Sequence, residues 1–145
     1  MTNGILQLLN VVAAGSATTK LDAIREAGAV LVRAGAVHEG YVDSMFDREA
    51  SMSTYMGNFL AIPHGADDAK ELITRSALSV VRYAEPIDWN GRPVRFVIGI
   101  AGRGNEHMAI LQKLAIVFSK PEDVQRLTDA VTAEEIFLLL EAAPA

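Results

Sequence analysis

The nine residues Gly57 to Gly65, reading GNFLAIPHG, constrain this chain more than any other stretch. Phe59 to Ile62 form a short apolar run of the length that crosses a core as a buried strand. Pro63 then has no backbone donor and ends the ladder. His64 is expected just past that strand end, and Gly65, without a Cβ, lets the backbone turn sharply or a partner come close to the imidazole. The expectation is a histidine on a stiff stalk, presented to solvent.

With 145 residues the chain is long enough to bury a sizeable core, and residues 1–145 are expected to form a single domain. There is no cysteine, which removes a disulfide framework, a thiolate zinc site and thiol catalysis, and fits a reducing compartment. The amino terminus lacks a basic stretch followed by a long apolar run, and no window approaches the roughly 20 apolar residues of a membrane span. A soluble cytoplasmic protein without membrane insertion is expected. The formal charge of −5 and the scatter of Lys and Arg argue against a nucleic-acid surface, which needs a basic face. An anion site must therefore be built by particular residues, and Arg48 and Arg103 are candidates because of their neighbours.

Along the chain, Ile5 to Ala14 read as a short helix followed by a short strand at Val11 to Ala14, broken by Gly15 and Ser16. From Thr19, the residues Leu21, Ile24, Ala27 or Gly28, and Leu31 recur at helical period, with Thr19 and Asp22 as an opening cap and Gly35 as a stop. Gly40 to Glu49 read as a second helix with Val42, Met45 and Phe46 inward. Arg48 falls in its last turn, where the helix dipole alone would favour a cation. Ala50 to Met56 look like a linker, and Ala66 to Lys70 like a turn opening a short helix or loop.

Leu78, Val80 and Val81 suggest a strand, Asn90-Gly91 is a turn signal, and Val94 to Ile100 is a second strand joined to it by a tight connection. Trp89 reads as a packing residue of that hairpin. Ala101 to Gly104 is a small-residue turn, and Asn105 has the type of an N-cap. Met108, Leu111, Leu114, Ala115 and Phe118 then mark the buried stripe of a long helix with His107 in its first turn. Pro121 starts another helix to about Ala130. Thr132 and Glu135 form a capping box ahead of Ile136 to Leu140. Strands alternating with helices give an α/β architecture, a sheet covered on both faces. His64 and His107 stand at the ends of elements, where α/β sites form.

Each histidine has a structural alternative. His38, in a Val-His-Glu-Gly connection, reads as a surface residue, and His107 alone would be a packing or capping residue. His64 with His107 and Arg48 supplies what phosphoryl transfer through histidine needs. A neutral imidazole, available because its ordinary pKa is about 6.5, offers a lone pair for in-line attack on phosphorus. A second imidazole at a helix start donates to phosphoryl oxygens, and a guanidinium supplies fixed, directional positive charge. The rival chemistry is a metal site of two histidines with Glu106 or Asp67. It lacks an HExxH pairing, and adjacent Glu106 and His107 point to different helix faces. A serine triad lacks a GxSxG elbow, so Ser51, Ser53 and Thr54 are left to satisfy loop backbone groups.

Four segments resemble one family: Tyr41 to Glu49 (YVDSMFDRE), Ser53 to Gly65 (STYMGNFLAIPHG), Ile98 to Ala101 (IGIA) and Asn105 to Ala109 (NEHMA). Together, and in this order, they are similar to the enzyme IIA (EIIA) domains of the mannitol and fructose type in the bacterial phosphoenolpyruvate-dependent sugar phosphotransferase system (PTS). The resemblance implies a three-layer α/β/α sandwich with a mixed central sheet. It implies that His64 is the phosphorylated residue, on the ring nitrogen farther from the backbone, with His107 and Arg48 as its active-site companions. Phosphate would come from the carrier HPr and pass to a sugar-specific enzyme IIB (EIIB), associated with a membrane EIIC, with no cofactor or metal. The Thr-Tyr-Met-Gly-Asn and NEH segments look closer to the mannitol branch, while Phe59-Leu60 departs from the Gly-Ile pair common there. Met56 and Phe59 are expected in the core, with a partner-contact role as the alternative. The runner-up function is a regulatory module of the nitrogen-related type, whose phosphorylation state controls partner binding.

Overall fold

A computed structural model of the chain describes residues 4–142, so the first and last three residues of the expected 1–145 domain lie outside it. A 3₁₀ turn at Leu8–Asn10 leads into β1 (Val11–Val12), followed by α1 (Lys20–Arg33), α2 (Gly40–Ser51), β2 (Tyr55–Gly57) and β3 (Leu60–Ala61). A 3₁₀ segment (Asp67–Leu72) leads to β4 (Ala77–Trp89), β5 (Arg92–Ala101), α3 (Glu106–Phe118), α4 (Pro121–Asp129) and α5 (Ala133–Glu141). The strands form one sheet in the order β1-β4-β5-β3-β2. β1 runs parallel to β4 and β3 parallel to β5, whereas β4/β5 and β2/β3 are antiparallel. The sheet is mixed, as expected.

Period-two alternation in β4 and β5 divides the core. Leu78, Val80, Phe96, Ile98 and Ile100 face α3, α4 and α5, while Ala77, Val81, Val97 and Ala101 face α1 and α2. Both faces are covered, so the central strands are nearly continuously apolar. Thr19 and Thr132 cap α1 and α5 through Asp22 and Glu135 amides, as their spacing predicts. The Asn90-Gly91 turn carries positive φ at both residues, 55° and 89°, the primed geometry that suits strand twist. Among the described residues, no helix is long and apolar enough to cross a membrane.

The departures have local causes. The strand expected over Phe59 to Ile62 shrinks to Leu60–Ala61, because Asn58 and Phe59 take positive φ and form the turn from β2. That hairpin also makes Tyr55–Gly57 a strand where a linker was expected. Its turn leaves Met56 and Phe59 exposed instead of in the core. Before it, the Ile5–Ala14 stretch holds a 3₁₀ turn and a two-residue strand. Leu21, Met108 and Ala115 are exposed; α3 buries Leu114 and Phe118 as expected, with Ile110 and Val117 completing its stripe and Leu111 half-buried. Asn105 is in helical conformation and makes no side-chain cap. Ser76 holds that turn instead, accepting from the Arg103 amide and donating to Glu106.

One buried carboxylate ties α2 to α1 and to the β4–β5 hairpin. Glu49, 4 % exposed, accepts from the Thr54 amide (2.8 Å), the Thr54 hydroxyl (2.5 Å) and the Trp89 indole (3.1 Å), with the Lys20 ammonium at 3.4 Å. Trp89 thus packs at the hairpin, fully buried, with its polar edge satisfied. Truncating one partner of such a group leaves buried donors unpaired. Glu49→Ala is expected to lower stability by about 3 kcal/mol, read by urea denaturation; a loss below about 1 kcal/mol would show that the network contributes no more than a surface pair.

Candidate functional site

β3 and β5 run parallel, so their carboxyl ends open on the same edge of the sheet, where α/β folds place ligands. His64 leaves the end of β3 and still forms a parallel bridge to Ile100, whose amide donates to the Pro63 carbonyl at 3.0 Å. α3 begins five residues after β5 and carries His107 in its first turn. The two imidazoles meet edge to face, with ring centroids 5.1 Å apart and planes at 62°.

Helix α2 brings the cation and fixes the loop after His64. Tyr41, Ser44 and Arg48 lie three and four residues apart and so share one face. The buried Tyr41 hydroxyl donates to the Ile100 carbonyl and accepts from the Gly65 amide, both at 2.8 Å. The Ser44 hydroxyl accepts from the Ala66 amide at 2.9 Å. Gly65 is needed for this contact, since a Cβ there would lie 2.5 Å from the Tyr41 ring. The partner that its missing side chain admits is therefore Tyr41. Gly102 does the same for His107, whose Cα would sit 2.6 Å from an added Cβ.

These elements enclose an open cavity of about 270 Å³ lined by Arg48, His64 and His107, with Tyr41, Asp67 and Lys70 at its wall. The three residues singled out from sequence are together. Arg48 donates one hydrogen bond to the Met52 carbonyl at 2.8 Å, capping α2, and keeps further donors for the cavity. Arg103 does not line the cavity and instead bonds the Thr74 carbonyl. His38 is exposed, as expected. Among the described residues no three His, Asp or Glu side chains converge as metal ligands, and the Glu106 carboxylate is held by Ser76.

The His64 ring is half-buried rather than fully presented to solvent. Its Nδ1 lies 2.7 Å from the Ile62 carbonyl. A carbonyl oxygen only accepts, so the neutral ring carries its proton on Nδ1, and Nε2 holds a free lone pair. Burial holds the His64 pKa below its usual value, with Arg48 adding to the effect against the Ile62 bond, Glu49 and Asp67. Burial likewise lowers His107, helped by His64 and Lys70 and opposed by Asp67. Both rings are therefore neutral at pH 7. One offers a nucleophilic nitrogen, and the other offers a hydrogen-bond donor.

The sequence reading does not single out Tyr41, Ser44, Lys70 or Gly102, and it names Asp67 only as a ligand of the rival metal site. A signal for the first two was present, because they stand seven and four residues before Arg48 on its own helix face. Asp67 and Lys70 follow His64 closely, but nothing in the pattern told which side of the 3₁₀ segment turns back to it.

Residues 5–143 match the family model described as phosphoenolpyruvate-dependent sugar phosphotransferase system, EIIA 2. A mannitol-specific phosphotransferase enzyme IIA component of Halalkalibacterium halodurans is 47% identical over 140 residues, covering 97% of each chain. The crystal structure of IIA mannitol from Escherichia coli superposes with a TM-score of 0.85 at 34% identity, over 92% of this chain and 97% of that one. A complex of enzyme IIA and phosphorylated enzyme IIB for mannitol, also from Escherichia coli, gives 0.86 at 33% identity, over 94% and 98%.

Because both rings are held below the ordinary histidine range, the folded protein binds fewer protons than the unfolded chain as pH falls below about 6.5. Stability from the neutral rings is present above that pH and lost on acidification toward the folded-state midpoints. NMR titration should find both imidazoles with midpoints below 6.5; a midpoint above it for His64 would mean that a carboxylate, not burial, controls the ring.

Proposed function

The chain belongs to the EIIA 2 family of the phosphoenolpyruvate-dependent sugar phosphotransferase system, and from that membership we propose a mannitol-type phosphocarrier acting in the cytoplasm as one EIIA domain. His64 takes the phosphoryl group from phospho-HPr and passes it to a mannitol-type EIIB associated with membrane EIIC. The observation that carries the reading is the His64 tautomer: Nδ1–H is spent on the Ile62 carbonyl, so Nε2 faces the cavity with its lone pair free.

In the first half-reaction Nε2 forms the new N–P bond as the bond between phosphorus and the donor breaks, its electron pair leaving with the donor. The second half-reaction reverses the roles, and the pair returns to Nε2 as the EIIB nucleophile bonds to phosphorus. Phosphoryl transfer asks for positioning and charge stabilisation more than covalent chemistry. Arg48 contributes a guanidinium whose plane suits phosphoryl oxygens. His107, uncharged, donates a hydrogen bond from the start of α3, where the helix field also favours an anion.

Incubation with phosphoenolpyruvate, enzyme I and HPr should place acid-labile, base-stable phosphate on His64, and labelling that persists in His64→Ala would remove the assignment. Arg48→Ala and His107→Ala are expected to slow loading by on the order of 10- to 100-fold with unchanged circular dichroism. Onward transfer to a mannitol EIIB separates this role from a regulatory one, in which phosphate would remain on the protein while a partner binds.

A further inference from the structure

The cavity beside His64 has a second cation that the sequence motifs do not single out. Lys70 comes from the 3₁₀ segment Asp67–Leu72, lines the same wall as Arg48 and His107, and is exposed. Its ammonium has no hydrogen-bond or ion-pair partner among the described residues, and even Asp67, three residues earlier on the same wall, makes no salt bridge with it. Its charge nevertheless reaches the site, since it contributes to lowering the His107 pKa. Arg48, by contrast, has already committed one donor to the end of its helix.

We propose that Lys70 is a third phosphate-binding group, which swings onto the phosphoryl oxygens once they are attached to His64 Nε2. The proposal rests on the reading of His64 as acceptor. A free ammonium on a flexible four-carbon stem has no ordered contact in the unloaded protein and loses its rotamer freedom only when an anion arrives. Its attraction is therefore realised mainly in the loaded state, which shifts the loading equilibrium rather than preparing the empty site. No bond beyond the N–P exchange already described is made or broken, and no proton has to move.

The probe is the loading equilibrium with phospho-HPr, followed by ³¹P NMR on the whole protein, for wild type, Lys70→Met and Lys70→Arg. Lys70→Met should lower the equilibrium loaded fraction relative to free protein about fivefold, shift the phosphohistidine ³¹P resonance and weaken the salt dependence of loading. Lys70→Arg should restore most of the loss. The exposed position predicts an unchanged denaturation midpoint in the free variants, with the His107 midpoint rising in Lys70→Met as the ammonium charge is removed, so a folding defect is separable from lost phosphate contact. If wild type loads at His64 and Lys70→Met loads equally, or arginine restores nothing, Lys70 has no phosphate contact and the acceptor assignment still stands. If wild type takes no phosphate at His64, the acceptor reading fails and this proposal falls with it.

Discussion

The Tyr41 hydroxyl is the contact on which the site geometry depends. It joins three parts of the chain distant in sequence: helix α2, the loop after His64 and the end of β5. A strand of two residues gives little directional control over the loop beyond it. The hydroxyl supplies that control by using both its donor and its acceptor on backbone groups, while burial pushes the Tyr41 pKa up and keeps it a phenol. Because the same helix face ends in Arg48, the distance from cation to imidazole is set by the helix rather than by a loop. Sites carried on regular elements hold their geometry more closely than sites on connections.

Charge is partitioned by the same helix. Arg48 and Glu49 are neighbours in sequence, and successive helical residues point about 100° apart. Arg48 therefore faces the cavity, and Glu49 faces the core, where Lys20, Trp89 and Thr54 occupy its oxygens. Had Glu49 been free, it would compete with an incoming anion for the guanidinium. Burying it against its own partners leaves the cation available in a chain whose formal charge is −5. The stability network and the binding site thus meet at one peptide bond, and Glu49 reaches the site only through its charge, which opposes the lowering of the His64 pKa.

The parts of this structure that were legible in sequence depend on short-range rules. Caps at Thr19 and Thr132 and the Asn90-Gly91 turn are local chemistry, and all three are present, while the helical stripes hold except at Leu21, Met108 and Ala115. The His64, His107 and Arg48 grouping is legible because phosphoryl transfer through histidine needs those residue types and because four segments carry the family resemblance. What escaped depended on tertiary context. Phe59 reads as a strand residue by composition, yet two positive-φ residues are what the β2–β3 turn requires. Asn105 has the right side chain for a cap, but Ser76, 29 positions earlier, already satisfies that turn. The Glu49 network draws on Lys20 and Trp89, separated by 69 positions, and no periodicity in a single segment encodes it.

A carrier in the proposed cycle has a requirement that a hydrolase does not, since it must take up a group and surrender it with similar ease. A deep, dry pocket with several fixed cations would bind the phosphoryl group tightly and hold it, because charge interactions strengthen as water is excluded. Here the cavity is open, both imidazoles are neutral, one guanidinium is partly committed, and Lys70 is exposed. Each of these lowers the depth of the well without changing the direction of the Nε2 lone pair. Directionality comes from the hydrogen bonds at Ile62, Ile100 and Gly65, and the proposed phosphate contacts are made by other side chains at the open cavity. Separating the two lets the ring stay correctly aimed through both half-reactions while the phosphoryl group remains free to leave.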